Sequence, residues 1–176
     1  MTQTPSFSLA QAPLHYHVSA PNPHNHLWHV TLTIAQPAAA QTLQMPVWIP
    51  GSYLVRQFSR HVQNLQATQN GHAVPVQQID SHTWQVAASP NQPLHISYQI
   101  YAHDNSVREA WLDEQRGFIN GTCTFLQVLG QEQQPHTVQL QAPYAHWRLA
   151  TSLNAHAVDD TGFGSYTAPD YDTLVD

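Results

Sequence analysis

The sequence predicts an all-β protein, an antiparallel β-sandwich with at most short helical turns. In most segments where a period can be read, apolar and polar residues alternate, as in half-buried strands. The thirteen prolines are spread over the whole chain, and each would remove a backbone donor and clash with the preceding turn of a helix. Short candidate strands are separated by Pro, Gly, Asn or Asp at regular spacing, which is typical of a sandwich.

The clearest strand covers 94–100, and the same alternation predicts strands over 28–34 and 43–47. Asn70 and Gly71 lie between two of the extended segments and provide the positive φ angles of a tight hairpin turn. Further strand candidates are 14–20, 82–88, 106–112, 122–129, 136–142 and 146–151.

The chain has the length of one compact domain. We expect a flexible arm over 1–13, a β-sandwich domain over 14–162 and a linker over 163–176, where the alternation stops. A helical turn or two is expected near 53–61. This last stretch ends without a cap or a closing strand, as a linker would.

Composition argues against several classes of partner. Charged residues are 9% of the chain, the net charge is −6, and all five basic residues are arginine. Binding to phosphate backbones or anionic lipid depends on several Lys or Arg contacts, so neither nucleic acid nor a membrane surface is an expected partner. The sequence shows no apolar run long enough for a membrane span and no secretory signal pattern, and its single cysteine, Cys123, suits a reducing compartment. We therefore expect a cytoplasmic protein.

Catalytic signatures are missing from the sequence. No His is followed by Glu, so there is no His-Glu-x-x-His zinc helix, and there is no Gly-x-Ser-x-Gly elbow or phosphate-binding glycine loop. Cys123 lies in an apolar segment, where burial would raise its pKa and make it inert. This chain alone is therefore not expected to be an enzyme.

The histidines and paired acids receive structural interpretations. His15 and His17, like His24 and His26, could place two imidazoles on one face of a strand and share a metal. With 13 His in the chain, such spacing arises by chance, and we predict a polar strand face instead. Adjacent acidic residues, as at 113–114 and 159–160, point to opposite faces of an extended chain and are interpreted as solvated turns.

One segment stands apart, Met45-Pro-Val-Trp-Ile-Pro-Gly-Ser-Tyr-Leu-Val-Arg-Gln-Phe58. A strand ends at the Pro50-Gly51 turn, and two aromatic residues and Arg56 follow within a few positions. In a purely structural interpretation, Trp48 and Tyr53 are core or corner residues and Arg56 braces loop carbonyls. The other interpretation is a functional surface.

The part Trp48-Ile-Pro-Gly-Ser-Tyr-Leu-Val-Arg56-Gln-Phe58 resembles the signature of the amino-terminal domain of the glycyl aminopeptidase family of metallopeptidases. The resemblance extends in order through Tyr16-x-Val18, His26-x-x-His29-Val, Trp84, Tyr98-x-Ile-Tyr-Ala102, Ser106-Val-Arg108, Leu112-Asp113, Arg116-Gly-Phe-Ile-Asn120-Gly-Thr122, Trp147-x-x-Ala-Thr-x-Leu153 and Asp170-Tyr-Asp-x-Leu-Val-Asp176.

This resemblance implies a parent protein with three parts. The β-sandwich would precede a thermolysin-like catalytic domain with a His-Glu-x-x-His zinc site, and a PDZ-like domain would follow. The parent would remove amino-terminal Gly or Ala from peptides, with zinc-activated water attacking the first peptide bond. The fragment itself would hold no cofactor, and its partners would be the catalytic domain and the peptide substrate.

We expect the turn at 50–56 and the loop at 116–122 to face that catalytic domain. Tyr53, Arg56, Asn120 and Gly121 would then be the residues nearest the substrate. Two other functions remain open on the residues alone. One is a stand-alone sandwich that binds a carbohydrate or a peptide terminus through exposed aromatic rings. The other is a histidine-rich metal buffer.

Overall fold

A computed structural model describes residues 12–49 and 51–176. Within these ranges the chain forms one short helix, three single 3₁₀ turns and fourteen strands, which confirms the all-β prediction. The strands are β1 (Leu14–Ser19), β2 (Leu27–Ile34), β3 (Ala40–Gln44), β4 (Val62–Gln69), β5 (His72–Val74), β6 (Val76–Gln78), β7 (Thr83–Ala87), β8 (Leu94–Tyr101), β9 (Trp111–Leu112), β10 (Gly117–Phe118), β11 (Gln127–Val128), β12 (His136–Leu140), β13 (Asn154–Val158) and β14 (Gly164–Ala168). The helix is α1 (Tyr171–Val175), and the 3₁₀ turns are Pro23–Asn25, Phe58–His61 and Gly121–Cys123.

The strands form two main sheets. The larger sheet has the order β13-β14-β12-β1-β2-β8-β4-β5, and the smaller has the order β11-β3-β7-β6. Strands β9 and β10 pair separately. Of the pairings described, that of β1 with β12 is parallel and the others are antiparallel.

One hydrophobic core lies between the sheets, as the alternation predicts. In β8 every second residue from Leu94 to Ile100 is buried, and the intervening residues lie outward. Leu43, Trp84 and Val86 of the smaller sheet belong to the same buried cluster. Since a strand presents successive side chains to opposite faces, a period of two is enough to bury one face of each sheet.

The predicted hairpin at Asn70 and Gly71 is also confirmed. Gln69 pairs with His72, so the connection has two residues, and their φ angles are 49° and 76°. Both angles are positive, as a type I′ turn requires, and Asn and Gly adopt them at least cost. The helical turn expected near 53–61 is present as the 3₁₀ turn Phe58–His61.

Several strand predictions in the second half of the chain are wrong or too long. The segment 146–151 forms no strand, although Trp147 is buried, because its backbone joins a neighbouring segment through a bond from Leu149 N to Thr161 O and not through a ladder. The candidate 106–112 is a strand only over its last two residues. In 122–129, a 3₁₀ turn replaces the first part. Alternation fixes which side chains are buried, but a strand also needs a partner backbone.

The end of the chain differs from the predicted linker. Strand β14 pairs along its length with β12, and α1 packs on the core through Tyr171 and Leu174. The predicted boundary at 162 therefore falls inside the larger sheet. Of the arm predicted over 1–13, residues 1–11 lie outside the described residues, and Ala12 is buried.

Two connections, the turn before β4 and the loop after β8, lie at one end of the larger sheet. Leu27 at the start of β2 pairs with Tyr101 at the end of β8, and Val62 at the start of β4 pairs with Ile100. The turn before β4 and the long connection after β8 therefore leave the sheet at the same end. In 12–49 and 51–176, no helix is long and apolar enough to cross a membrane.

Candidate functional site

The segment after β3 forms a closed loop. The amide of Met45 donates to His82 O at 2.9 Å, which continues the sheet for one residue. Further on, Ser52 N donates to Ile49 O at 3.0 Å, and Arg56 N donates to Val47 O at 2.7 Å. These bonds bring residue 56 back beside residue 47, so the described residues between them, 48–49 and 51–55, form a loop with a fixed base.

The aromatic residues of this loop face outward. Tyr53 is fully exposed and Trp48 is 52% exposed. Neither is a core residue, so of the two structural positions considered for them, core or corner, the core is wrong for both. Leu54 and Val55, which follow Tyr53, are also exposed. The loop thus places four large apolar side chains in solvent.

Arg56 lies at the base of the loop. Its side chain is partly buried, and its Nε is buried without a hydrogen-bond partner among residues 12–49 and 51–176. The guanidinium lies near enough to Glu109 to favour the charged form of that carboxylate. Arg56 therefore adds positive charge beneath the exposed loop.

Glu109 joins this region to the connection after β8. The residue is 4% exposed, and its Oε1 accepts a hydrogen bond from Arg60 Nη2 at 3.3 Å. His61 Nε2 lies 3.4 Å from Glu109 Oε2. Burial raises the pKa of Glu109, and the positive charges of Arg60 and Arg56 oppose that rise. Burial also lowers the pKa of His61. Glu109 is thus a buried junction between the turn 58–61 and the loop 103–110.

Asn120 is held from both ends of its side chain. Its Oδ1 accepts a bond from Thr122 N at 3.0 Å and caps the 3₁₀ turn Gly121–Cys123, while Nδ2 donates to Val107 O at 3.0 Å. The polar atoms of Asn120 are therefore used within the domain, where they tie loop 117–123 to loop 103–110.

Gly121 lies against the C-terminal helix. A Cβ at this position would lie 2.6 Å from Val175 Cα, which is closer than atoms can approach. A glycine here lets α1 pack directly on the 3₁₀ turn. Gly121 therefore sets the position of the helix relative to the loop.

Three buried tyrosines fix the continuation of this loop. Their hydroxyl groups donate to three consecutive backbone carbonyls, those of residues 124, 125 and 126. The donors are Tyr98 on β8, Tyr171 on α1 and Tyr16 on β1. Burial raises the pKa of all three phenols, so they remain donors at any physiological pH. The loop that carries Asn120 and Gly121 is thereby attached to the sheet and to the helix.

The structure brings the two predicted site segments to one side of the molecule. Trp48 and Thr122 line the same cleft, of about 690 Å³, and Arg56 lies near Glu109, whose loop is bonded to Asn120. A second cleft, of about 600 Å³, is lined by Trp28, Phe118 and Trp147. No hydrogen bond joins Tyr53 or Arg56 directly to Asn120 or Gly121 in the described part of the chain.

The three loops 45–56, 103–110 and 117–123 each carry large apolar side chains that are exposed. We call this set of side chains the apolar rim; it consists of Trp48, Tyr53, Leu54, Val55, Val107 and Phe118, each 44% exposed or more. Exposed apolar groups that gather on one side of a domain mark interaction sites. The sequence marked Tyr53 through the unusual composition of 45–58. It did not mark Glu109, and Val107 appeared only within the family resemblance, because the roles of both depend on loops distant in sequence.

Metal-ligand clusters and the single thiol can be examined directly in the described residues. No three His, Cys, Asp or Glu side chains of 12–49 and 51–176 converge on one point as metal ligands would. Cys123 is buried, as predicted, and burial raises its pKa to about 12. His15 Nδ1 lies 2.6 Å from Thr137 Oγ1, and His26 Nδ1 lies 2.6 Å from Leu112 O, so both have partners within the domain.

Comparison with known proteins places this architecture in a family. A structure from Idiomarina loihiensis, described as an aminopeptidase N family protein, is 41% identical, with a TM-score of 0.89 over 93% of this chain and 28% of that chain. A weaker likeness, at 18% identity and a TM-score of 0.45, is to an M1 zinc metallopeptidase from Deinococcus radiodurans, over 88% of this chain and 37% of that one. No curated protein matches the chain.

The chain thus spans less than a third of the Idiomarina relative. A model of the family described as the peptidase M61 N-terminal domain matches residues 15–176, nearly the whole chain. The protein therefore belongs to the family of peptidase M61 N-terminal domains.

Proposed function

We propose that this chain is the non-catalytic N-terminal domain of a zinc metallo-aminopeptidase, and that it packs on the catalytic domain and shapes the substrate cleft. The observation that carries the proposal is the apolar rim in a domain of this family. In the parent protein the zinc would belong to the catalytic domain and would activate the water that attacks the first peptide bond. For the parent protein we also propose a PDZ-like domain and a preference for amino-terminal glycine or alanine. We propose that it is located in the cytoplasm.

The apolar rim favours a protein partner. Tyr53, Val55 and Val107 are each more than 70% exposed, so their burial against another surface would release water from nearly the whole side chain. The loops that carry them are closed by backbone hydrogen bonds and by Glu109, so little ordering would be needed on docking.

The same rim can limit the substrate to its first residue. An exopeptidase needs a wall that blocks an extended peptide beyond its amino terminus. A protruding loop with Tyr53 at its tip has the shape for such a wall, and Arg56 lies at its base. We assign Asn120 and Gly121 a supporting part near the substrate, because their contacts hold loop 117–123 against Val107 and α1.

The proposal includes neither nucleic acid nor a membrane as a partner. Five arginines and a net charge of −6 leave little to neutralise a phosphate backbone or an anionic membrane. The partners are the catalytic domain and the peptide substrate.

The test uses the full-length protein encoded by the gene. We expect a His-Glu-x-x-His sequence downstream, and Tyr53→Ala should lower kcat/KM on glycyl and alanyl p-nitroanilides by about tenfold, a change of roughly 1.4 kcal/mol. Ile79→Ala is the matched control, because Ile79 is 50% exposed on the turn after β6 and belongs to none of the three loops that carry the apolar rim. Unchanged turnover and unchanged substrate preference for both Tyr53→Ala and Asn120→Ala would overturn the proposal.

A second candidate function is a stand-alone module that binds a carbohydrate or a peptide terminus. The cleft lined by Trp28, Phe118 and Trp147 favours it, because its volume of about 600 Å³ suits a small ligand and its wall is aromatic. Calorimetric titration of the 176-residue chain with oligosaccharides and short peptides distinguishes the two. Micromolar binding, together with a stop codon directly after residue 176, would favour the module.

A further inference from the structure

The C-terminal helix α1 ends between the two clefts. We call the cleft with Trp28, Phe118 and Trp147 the tryptophan cleft, and the cleft with Trp48 and Thr122 the Trp48 cleft. Both are lined by the same four residues, Ser152, Leu153, Val175 and Asp176. The end of α1 and the segment beside it therefore form a ridge that separates the two clefts.

This ridge is firmly attached to the domain. Asp170 caps the helix, since its Oδ1 accepts a bond from Thr173 N at 2.8 Å. The Tyr171 hydroxyl donates to Phe125 O at 2.7 Å, and Leu174 is buried. Gly121 allows the backbone of Val175 to approach closely. The clefts on either side are thus preformed and do not depend on a partner for their shape.

Both clefts are continuous with the apolar rim. Phe118 of the rim lines the tryptophan cleft, and Trp48 of the rim lines the Trp48 cleft. The surface therefore runs from the rim loops into one cleft, over the end of α1 and into the other. A small molecule in one cleft would leave Leu54, Val55 and Val107 exposed, whereas a protein surface could cover all of them.

We propose that the catalytic domain clasps the end of α1 and inserts apolar side chains into both clefts, so that the interface is centred on the helix and extends outward to the rim. This inference rests on the proposed function and adds the position of the interface. The family model describes an N-terminal domain and matches through residue 176, and the chain covers 28% of the longer relative, so a catalytic domain that follows this one would be joined to it at the ridge. A domain tethered at the ridge has a high effective concentration there, which favours contact with the adjoining clefts.

The size of the surface supports this occupant. A stable protein interface commonly buries about 1,600 Å² in total and involves about 20–30 residues on each side, more than the six residues of the apolar rim. The proposed interface is larger than the apolar rim. It also includes the walls of the two clefts and the ridge between them, formed by Ser152, Leu153 and the end of α1. Insertion of side chains into preformed sockets is also how interfaces obtain their strongest contacts.

Hydrogen–deuterium exchange tests the proposal by comparing the 176-residue chain with the full-length protein. We expect residues 147–153 and 171–176 to exchange at least about tenfold more slowly in the full-length protein, because docking must open before exchange. Ser152→Trp, an exposed position on both clefts, should remove that protection and lower kcat/KM. Ser81→Trp, at an exposed turn between β6 and β7, is the matched control and should change neither.

The outcomes separate this inference from the proposed function. If the rim loop 51–56 is protected in the full-length protein and 147–153 is not, the domain docks, but not on the helix, and the inference is wrong. If neither segment is protected, the inference fails, and loss of activity in Tyr53→Ala decides the proposed function separately. A 176-residue chain that forms dimers by light scattering, with both clefts already protected, would show that a second copy is the occupant and overturn the inference.

Discussion

The hydroxyl of Tyr98 donates a hydrogen bond to Thr124 O at 2.9 Å and accepts one from Leu126 N at 3.2 Å. Tyr98 is 2% exposed, so both bonds lie in the core. A side chain of the central strand β8 thus replaces the strand partner that this part of the loop lacks. The loop reaches its position without becoming part of either sheet.

Removing this hydroxyl should destabilise the domain. We expect Tyr98→Phe to lower the free energy of unfolding by about 1–3 kcal/mol, because a buried carbonyl and a buried amide lose their partner. Urea denaturation followed by tryptophan fluorescence measures the change. Tyr101→Phe is the control, since Tyr101 lies on the outer face of the same strand and is 39% exposed. Equal losses in the two variants would contradict the role of this bond.

The strands that bury one face could be predicted from the sequence. Alternation identified β2 and β8, and the pair Asn70 and Gly71 identified the hairpin, because both signals are local. Strand β13 gave no such signal, since all five of its residues are exposed at the edge of the sheet. Its existence depends on pairing with β14, which a pattern of hydrophobicity does not contain.

The candidate site could be predicted only where its signal is local in the sequence. The composition of 45–58 marked Tyr53 as unusual, and the structure places it in solvent. The burial of Glu109 could not be predicted, because its partners Arg60 and His61 lie nearly fifty residues earlier in the chain. Alternation gave 106–112 as a strand and so missed the loop that buries this carboxylate.

The buried carboxylate of Glu109 should matter more to stability than its exposed partner does. We expect Glu109→Ala to lower the free energy of unfolding by about 1–3 kcal/mol, because the turn 58–61 loses its contact with loop 103–110. Arg60→Ala should cost less than about 1 kcal/mol, since the Arg60 side chain is 58% exposed and solvent screens its charge. Thermal denaturation of both variants checks the order. A larger loss in Arg60→Ala than in Glu109→Ala would show that Glu109 is not the junction.

A glycine in the last strand tests whether 163–176 is an integral part of the domain. Gly164 has a φ of 140°, and a Cβ there would lie 2.8 Å from Val158 Cα on β13. We expect Gly164→Ala to destabilise the domain by about 2 kcal/mol or more, through both backbone strain and the clash. The matched control is Gly130→Ala, with a φ of 87° and no atom within 4 Å of the added Cβ, which should cost about 1 kcal/mol. Identical melting curves for Gly164→Ala and the wild type would mean that β14 contributes nothing to cooperative folding.

His136 should make the stability depend on pH. It is fully buried at the start of β12, with its ring 6.1 Å from that of Tyr16 and 6.0 Å from that of Tyr171, and Asp170 is the nearby acid. Burial lowers the pKa of His136 from 6.5 to about 4. Below pH 6.5 the unfolded chain therefore binds a proton that the folded chain does not, and stability falls until the pH reaches about 4.

His136→Leu removes this dependence. Between pH 7 and pH 4.5 the wild type should lose roughly 2–3 kcal/mol more stability than the variant, since each unit of pKa shift corresponds to about 1.4 kcal/mol. At pH 7 the substitution should cost little, because the contact of the His136 ring with the backbone of Gln134 falls outside hydrogen-bond geometry, and neither ring nitrogen has another partner among residues 12–49 and 51–176. Urea denaturation of both proteins across this pH range measures the difference. Parallel pH profiles would show that His136 is protonated in the folded protein as readily as in the unfolded chain, and that its burial has no energetic consequence.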